Sequence, residues 1–318
     1  MTWRIFTGNG MARSGDEAWR RLPEPPPWRR RDVAITRFVV TEDLLDAVNA
    51  SLHLRRPLLL TGAPGSGKST LVSLVAAELQ LGEPLNWHIT SRSALADGLF
   101  QYDALGRLHA IQSSTGEDAM ALRVQDYVTL GPLGTALASR DKPRAVLIDE
   151  IDKSDFDLPG DLLNVLEEGA FEIPPLVREA RAVREASDKP VPQQVRGADR
   201  QVYPVDGGMV RRTHWPVIIM TSNGERTFPA PFLRRCVRFE MATPTTAFLE
   251  SVVDGYLAKV KGKDRTKIAE FAQRLVAGER LAVDQLLNYL FLITADHGID
   301  ATTRDRLERT LPDELSGR

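Results

Sequence analysis

Three short stretches of this sequence hold residue types that could do chemistry together. In the first, Gly62, Gly65 and Gly67 lead into Lys68 and Ser69 in the pattern Gly62-x-x-x-x-Gly67-Lys68-Ser69. Such glycines let the backbone take conformations closed to other residues and bring its amides close to a phosphate chain. Lys68 is placed to reach the outer phosphates, and the Ser69 hydroxyl suits a Mg²⁺ ion that already holds phosphate oxygens. In the second, an apolar run over residues 145–148 ends in Asp149 and Glu150. One carboxylate there suits a metal, held directly or through its water, and the other suits a base that orients and activates water. In the third, Asn223 follows the apolar run 217–220 and Thr221-Ser222. An amide just past a central strand would lie beside the carboxylates and hold the attacking water. Taken singly, an acidic strand end and an Asn-Gly turn are ordinary features; their order behind a complete phosphate-binding loop argues for chemistry.

These groups need strands and helices to place them. Leu58, Leu59 and Leu60 read as a strand buried on both faces, and Leu71, Leu74, Val75 and Leu79 recur at helical intervals, so the loop runs from a strand into a helix whose N-terminus favours negative charge. Upstream, Thr41 caps a helix with Glu42 and Asp43 in its first turn and Leu44, Val48 and Leu52 on one face. Residues 85–89 read as a second strand, with Thr90 or Ser91 capping the next helix. Residues 97–126 are polar and dotted with glycine, and read as an insertion. Gly131-Pro132-Leu133-Gly134 opens a short helix, and Leu162, Leu163, Val165 and Leu166 make another that ends at Gly169.

Residues 174–212 are rich in Pro and Arg, without sustained periodicity, and read as a second insertion. They hold eight basic residues against five acidic ones, and Gly207-Gly208 is a turn signal between extended flanks, so part of this block reads as a hairpin. Residues 237–241 form a last strand. From Pro244 the pattern is helical: Phe248, Val252, Tyr256 and Val260 share one face, Ile268, Phe271, Ala272 and Leu275 a second, Val283, Leu286, Leu287, Leu290 and Phe291 a third, with a further short segment over 304–311. The expected division is an Arg/Trp/Pro-rich N-terminal arm (1–31), an α/β nucleotide-binding domain (32–243) and a helical domain (244–318).

With 318 residues, 42% hydrophobic and 26% charged, the composition is that of a globular chain long enough for two cores. The net charge of -2 gives no global sign of nucleic-acid binding. Cys236 stands alone, so no internal disulfide forms, which fits a reducing compartment. No apolar run approaches a membrane span, and the first ten residues lack the apolar core of a signal peptide; a cytoplasmic location is expected.

In this order of parts the chain resembles the AAA+ ATPases, and among them the MoxR-type group. The marks are GAPGSGKST as Walker A (Gly62, Ala63, Pro64, Gly65, Ser66, Gly67, Lys68, Ser69 and Thr70), AVLIDEIDKS as Walker B, TSN as sensor 1 and FLRRCVRFE as the arginine-finger region. Gly131-Pro132-Leu133 and the AVDQLLNYLFL helix are also similar, and the resemblance spans about residues 33–311. It implies a P-loop NTPase (AAA+) fold: a three-layer α/β core with a five-stranded parallel sheet, followed by an all-helical lid. It further implies ATP and Mg²⁺ as ligands and a homo-oligomeric ring, expected to be a hexamer, with ATP at the subunit boundary. Lys68 and Ser69 would hold phosphate and Mg²⁺, Asp149 would support the metal, Glu150 would activate water and Asn223 would position it. Arg235, with Arg234 as second choice, would reach the next subunit's site and neutralise charge on the transferred phosphoryl. Arg280 is only a candidate for the sensor 2 arginine, and the block over 174–212 is larger than the group's hairpin.

The resemblance implies an ATP-hydrolysing ring that remodels or helps mature a partner protein, an adhesion-type metal-binding-domain protein being the partner class it suggests. An alternative is a nucleic-acid-associated motor of a restriction or defence system, using residues 174–212 or the Trp28-Arg29-Arg30-Arg31 cluster; the near-neutral charge disfavours a nucleic-acid partner. The plainer reading of that cluster is an arm that packs Trp28 on its own domain. A third alternative is a nucleotide-gated scaffold with negligible turnover, which the intact Glu150 argues against.

Overall fold

The computed structural model describes residues 22, 24–30, 38–63, 66–113, 123–186, 193–257, 262–276 and 283–294, and positions 299, 302, 303 and 306. Pro64, Gly65, Val260, Arg280 and most of the segment 304–311 lie outside the described residues. The described residues divide into two compact units, one drawn from Thr41–Thr61 and Leu71–Glu240, the other from Met1–Val40, Gly62–Thr70 and Met241–Arg318.

In the first unit, α1 (Glu42–Leu54) starts where expected: the Thr41 hydroxyl accepts the Leu44 N–H at 3.3 Å, and Leu44 and Val48 are buried. Then come β1 (Leu58–Thr61), α2 (Lys68–Glu78), which begins in the other unit, and β2 (Leu85–His88). Next are α3 (Leu95–Leu99), β3 (Phe100–Tyr102), α4 (Ala104–Ser113), β4 (Val128–Leu130), α5 (Pro132–Ala138) and β5 (Ala145–Asp149). They are followed by α6 (Leu158–Glu168), β6 (Ala170–Glu172), α7 (Pro174–Ala186), β7 (Gln193–Arg196), β8 (Val202–Val205) and β9 (Met209–Arg211). The unit closes with β10 (Val217–Ser222), α8 (Ala230–Arg235) and β11 (Val237–Glu240).

The expected five-stranded parallel sheet is present, in the order β11-β1-β10-β5-β2. All six residues of β10 are buried, as a central parallel strand covered on both faces requires. Leu59, Val146, Ile148 and Met220 from the sheet join Leu133, Leu137, Leu162 and Leu163 from the helices in one core. Register does the rest: Thr61 lies beside Ser222, and Met220 beside Ile148. The three chemistry-bearing stretches therefore leave the sheet from the C-terminal ends of β1, β10 and β5, with β10 in the middle.

Strands from the two expected insertions, β3 from the first and β7 and β8 from the second, share a second sheet with β4, which follows the first insertion, in the order β3-β4-β7-β8, joined where Thr129 pairs with Arg196. Three local expectations need correcting. Neither Thr90 nor Ser91 caps a helix; they lie in a turn closed by Thr90 N–H and Ser93 Oγ (2.9 Å), and α3 begins after Ala94, whose N–H is taken by Asp97 at 2.8 Å. The stretch after Ile173 is a 13-residue helix, α7, because Pro174 and Pro175 sit in its first turn, where a missing N–H costs nothing, and Leu176 is fully buried. Gly207 and Gly208 do turn the chain at positive φ (61° and 80°), as expected, inside an antiparallel bridge between Asp206 and Met209, but beyond that bridge β8 pairs with β7 and β9 with β6. The hairpin is β7–β8, turned through residues 197–201 with Arg200 left-handed at φ 66°. Arg144, just before β5, fastens this hairpin to the main sheet: Nη1 donates to Asp199 Oδ2 (2.6 Å) and Tyr203 OH (2.9 Å), and Nη2 to the Glu83 carbonyl (3.2 Å).

In the second unit, α9 (Thr246–Tyr256) is capped by Thr245 and followed by α10 (Gly262–Val276) and α11 (Val283–Thr294). The deepest residues of α9 are Leu249 and Val253, one position along from the expected Phe248 stripe, with Val252 and Tyr256 at the margin. Ile268, Phe271, Ala272, Val283, Leu286, Leu287 and Leu290 complete that core. Trp28 packs here too, edge-on to Tyr256 (6.1 Å between ring centroids) and Phe291 (5.5 Å). No helix among the described residues is long and apolar enough to cross a membrane.

Candidate functional site

The glycine loop joins β1 to α2 and demands its glycines for space as well as conformation. Gly62 stands at φ 148° and Gly67 at φ 85°. A Cβ on Gly62 would meet Met241 Cβ at 2.8 Å, and one on Gly67 would run into the Phe38 ring. Lys68 opens the helix and is 7% exposed. Its ammonium donates to the carbonyls of Gly62 and Ala63, both at 2.8 Å, folding over the loop's own oxygens. Ser66 Oγ is buried without a hydrogen-bond partner, and Ser69 is exposed on the first turn of α2. A helix N-terminus with an orphaned hydroxyl and a lysine beside it fits a polyphosphate.

At the end of β5 one hydroxyl organises both carboxylate residues. Thr221 on β10 is 1% exposed; its Oγ1 donates to Asp149 Oδ1 (2.5 Å) and accepts the Glu150 N–H (2.9 Å). Glu150 takes a left-handed conformation (φ 59°, ψ 47°), uncommon for a residue with a long side chain. The chain there turns from the strand into a 3-10 turn over Ile151–Lys153, which brings Lys153 back to the carboxylate. Glu150 Oε2 accepts from Lys153 Nζ at 2.6 Å, and Oε1 accepts from Asn223 Nδ2 at 3.2 Å. The hydrogen bond to Glu150 raises the pKa of Lys153. His88, at the end of β2, sits 3.5 Å from Glu150 Oε2 through Nε2 and 3.8 Å from Asp149 Oδ2 through Nδ1. The side chains of Asp149 and Glu150 remain 28% and 24% exposed, open enough for a ligand to reach. A carboxylate beside a hydroxyl is the donor chemistry of a hard divalent cation, so Asp149 fits Mg²⁺.

Residues 57–235, more than half of the chain, match the AAA domain (dynein-related subfamily). The chain belongs to this AAA family. The structure of NtrX from Brucella abortus in complex with ADP is similar at a TM-score of 0.43 and 13% identity, covering 89% of this chain. This chain spans 57% of that structure's length. No curated protein matches the sequence.

In this AAA chain the expected residues Asp149, Glu150 and Asn223 come together. Arg234 and Arg235 end α8 and face other partners. Arg235 Nε pairs with Glu167 Oε1 on α6 at 2.9 Å, while Arg234 Nε bonds the Ala230 carbonyl of its own helix at 3.3 Å. Sequence reasoning passed over Thr221, Lys153, Asp152 and His88. Thr221 stood inside the Thr-Ser-Asn stretch, where only the amide had been given a role, and Lys153 lies one 3-10 turn from Glu150. His88 was hidden because only sheet register sets it beside Asp149. Arg212, in the basic block 174–212, is half-buried and tied to its own fold. It bonds the carbonyls of Leu166 and Glu167 (3.1 Å for the latter) at the end of α6 and stacks 3.4 Å over the Trp215 ring.

Proposed function

We propose that this chain is a Mg²⁺-dependent ATPase that forms a MoxR-like ring and remodels or helps mature a partner protein. The observation that carries the ATPase reading is the Glu150 carboxylate gripped at both oxygens by Asn223 and Lys153, beside Asp149. In this reading Lys68 and the backbone N–H groups of the glycine loop, Pro64 having none to give, bind the phosphates of ATP, and Ser69 and Asp149 would hold Mg²⁺, which would neutralise charge on the phosphate oxygens. Asn223 orients a water in line with the terminal phosphorus. Glu150 takes its proton as it attacks, and ADP and phosphate leave. Arg235 supplies positive charge to the site of the neighbouring subunit, with Arg234 as the second choice. Residues 32–243 act as the nucleotide-binding domain and residues 244–318 as the lid.

The test is Glu150→Gln, which keeps ATP affinity and lowers turnover by about 10²- to 10⁴-fold, as loss of a general base does; Lys68→Ala loses binding. Wild-type turnover equal to that of Glu150→Gln would refute the ATPase reading. For the remodelling reading, Glu150→Gln held with ATP retains a partner protein that ADP releases, and a partner carrying an adhesion-type metal-binding domain supports the MoxR-type assignment. The nucleic-acid motor is less well supported, because Arg212, within the basic block 174–212 that it would use, is committed to the end of α6 and to the Trp215 ring.

A further inference from the structure

We propose that Asp152 is the positioning residue that sets Asn223 against Glu150; this rests on the water-handling roles given to those two residues above. The ladder between β10 and β5 ends at Met220 and Ile148, and that between β10 and β1 at Ser222 and Thr61, so Asn223 lies just past the end of the sheet. Beyond it, three consecutive amides are each taken by a side-chain oxygen. Asp152 Oδ2 accepts the N–H of Asn223 at 2.9 Å and that of Glu225 at 3.2 Å, and Ser222 Oγ accepts the N–H of Gly224 between them at 3.0 Å. Two of the three are therefore held by one atom. That atom belongs to a residue 5% exposed, in the 3-10 turn that starts directly after Glu150.

The bonds close a ring. From Glu150 the backbone runs two residues to Asp152, across to the Asn223 amide, out along its side chain, and back from Nδ2 to Glu150 Oε1. Glu150 and Asn223 come from different strands, and this ring ties one to the other through a buried carboxylate. Asp152 Oδ1 is buried and has no hydrogen-bond partner, so a single acceptor oxygen performs the task. An asparagine at this position carries the same oxygen in the same shape, whereas alanine removes it.

Four variants of the full chain, Asp152→Ala, Asp152→Asn, Asn223→Ala and the Asp152→Ala/Asn223→Ala double, are compared by MgATP turnover, KM, affinity for a fluorescent ATP analogue and melting temperature. Asp152→Ala is expected to lower kcat about tenfold or more, with KM and analogue affinity within about threefold. The double variant should be no worse than Asn223→Ala alone, because Asp152 acts through Asn223. Asp152→Asn should restore kcat to within about threefold of wild type. Wild-type kcat in Asp152→Ala, or costs that multiply in the double variant, overturns the proposal. If Asp152→Ala does not fold, Asp152→Asn decides: retained turnover supports the anchor, and a folded, ATP-binding variant that has lost turnover overturns it. Normal turnover in Asn223→Ala would instead overturn the role given to Asn223 itself, so the two failures are distinguishable.

Discussion

Arg235 Nε lies 2.9 Å from Glu167 Oε1, joining the last turn of α8 to the last turn of α6. The two side chains are 45% and 56% exposed, so the pair contributes about 0–1 kcal/mol to stability. Arg235→Ala should therefore melt close to wild type. If Arg235 acts on the neighbouring subunit, the assembled variant should lose about 10³-fold or more in turnover. Calorimetry and a steady-state assay on the same preparation check both halves; activity that falls only in step with melting would make Arg235 a structural residue.

Thr221 should be sensitive to loss of one oxygen. In Thr221→Val the shape is kept, but Asp149 Oδ1 loses a donor and the Glu150 N–H loses its acceptor. A fully buried amide without a partner costs about 1–3 kcal/mol; the Glu150 N–H is part-buried, so the loss should fall toward the lower end, and the released Glu150 should lower kcat as well. Thr221→Ser keeps the hydroxyl and should recover most of both. Urea unfolding and turnover, measured on the pair of variants, check this.

The Arg144–Asp199–Tyr203 cluster should make stability depend on acid. Burial alone would raise the Asp199 carboxyl, but hydrogen bonds from Arg144, Tyr203 and the Gln201 amide outweigh it and hold the group below the usual carboxylate range. A lowered folded-state pKa means stability that is full above the unfolded value, about 3.9, and is lost as the pH falls further. In Asp199→Asn that increment is missing and Arg144 is left buried without its counterion, a loss on the order of 3 kcal/mol at pH 7. The wild-type and variant unfolding free energies should therefore converge below about pH 4. Curves that stay parallel into acid would show that the carboxylate charge contributes nothing.

Cys236 should be inert in the folded protein. It is 8% exposed, and burial pushes the thiol up to about 12, against the smaller opposing effects of Arg238 and Arg56. Thiolate is the reactive form, so a thiol-specific disulfide reagent at pH 8 should label it only after denaturant is added. Rapid labelling of the native chain would contradict this placement.

The sequence was most informative where a single local interaction decides the structure. The Thr41 cap, the buried parallel strands and the helix ending at Gly169 follow from side-chain periodicity and from groups a few residues apart. The glycine loop was readable for the same reason: Gly62 and Gly67 occur where the backbone must take positive φ. Asp149, Glu150 and Asn223 could be picked out because each sits at the end of a strongly apolar run. The α7 helix was missed because its charged residues masked a short buried stripe, and the hairpin was misplaced because the Gly207-Gly208 turn does not say which strands will pair.

What only the tertiary structure decided is what those end residues touch. By itself the sequence determined that strands deliver two carboxylates and an amide, and that a glycine-rich loop ending in Lys68 and Ser69 precedes them. Strand order placed β10 between β1 and β5, and register placed Thr221 where one hydroxyl meets both Asp149 and Glu150. Asp152, Lys153 and Arg235 acquired partners far along the chain or across a tight turn, and no spacing rule names such partners. Hydrogen bonds between groups about 70 residues apart exist only once the sheet has set the distance between its strand ends.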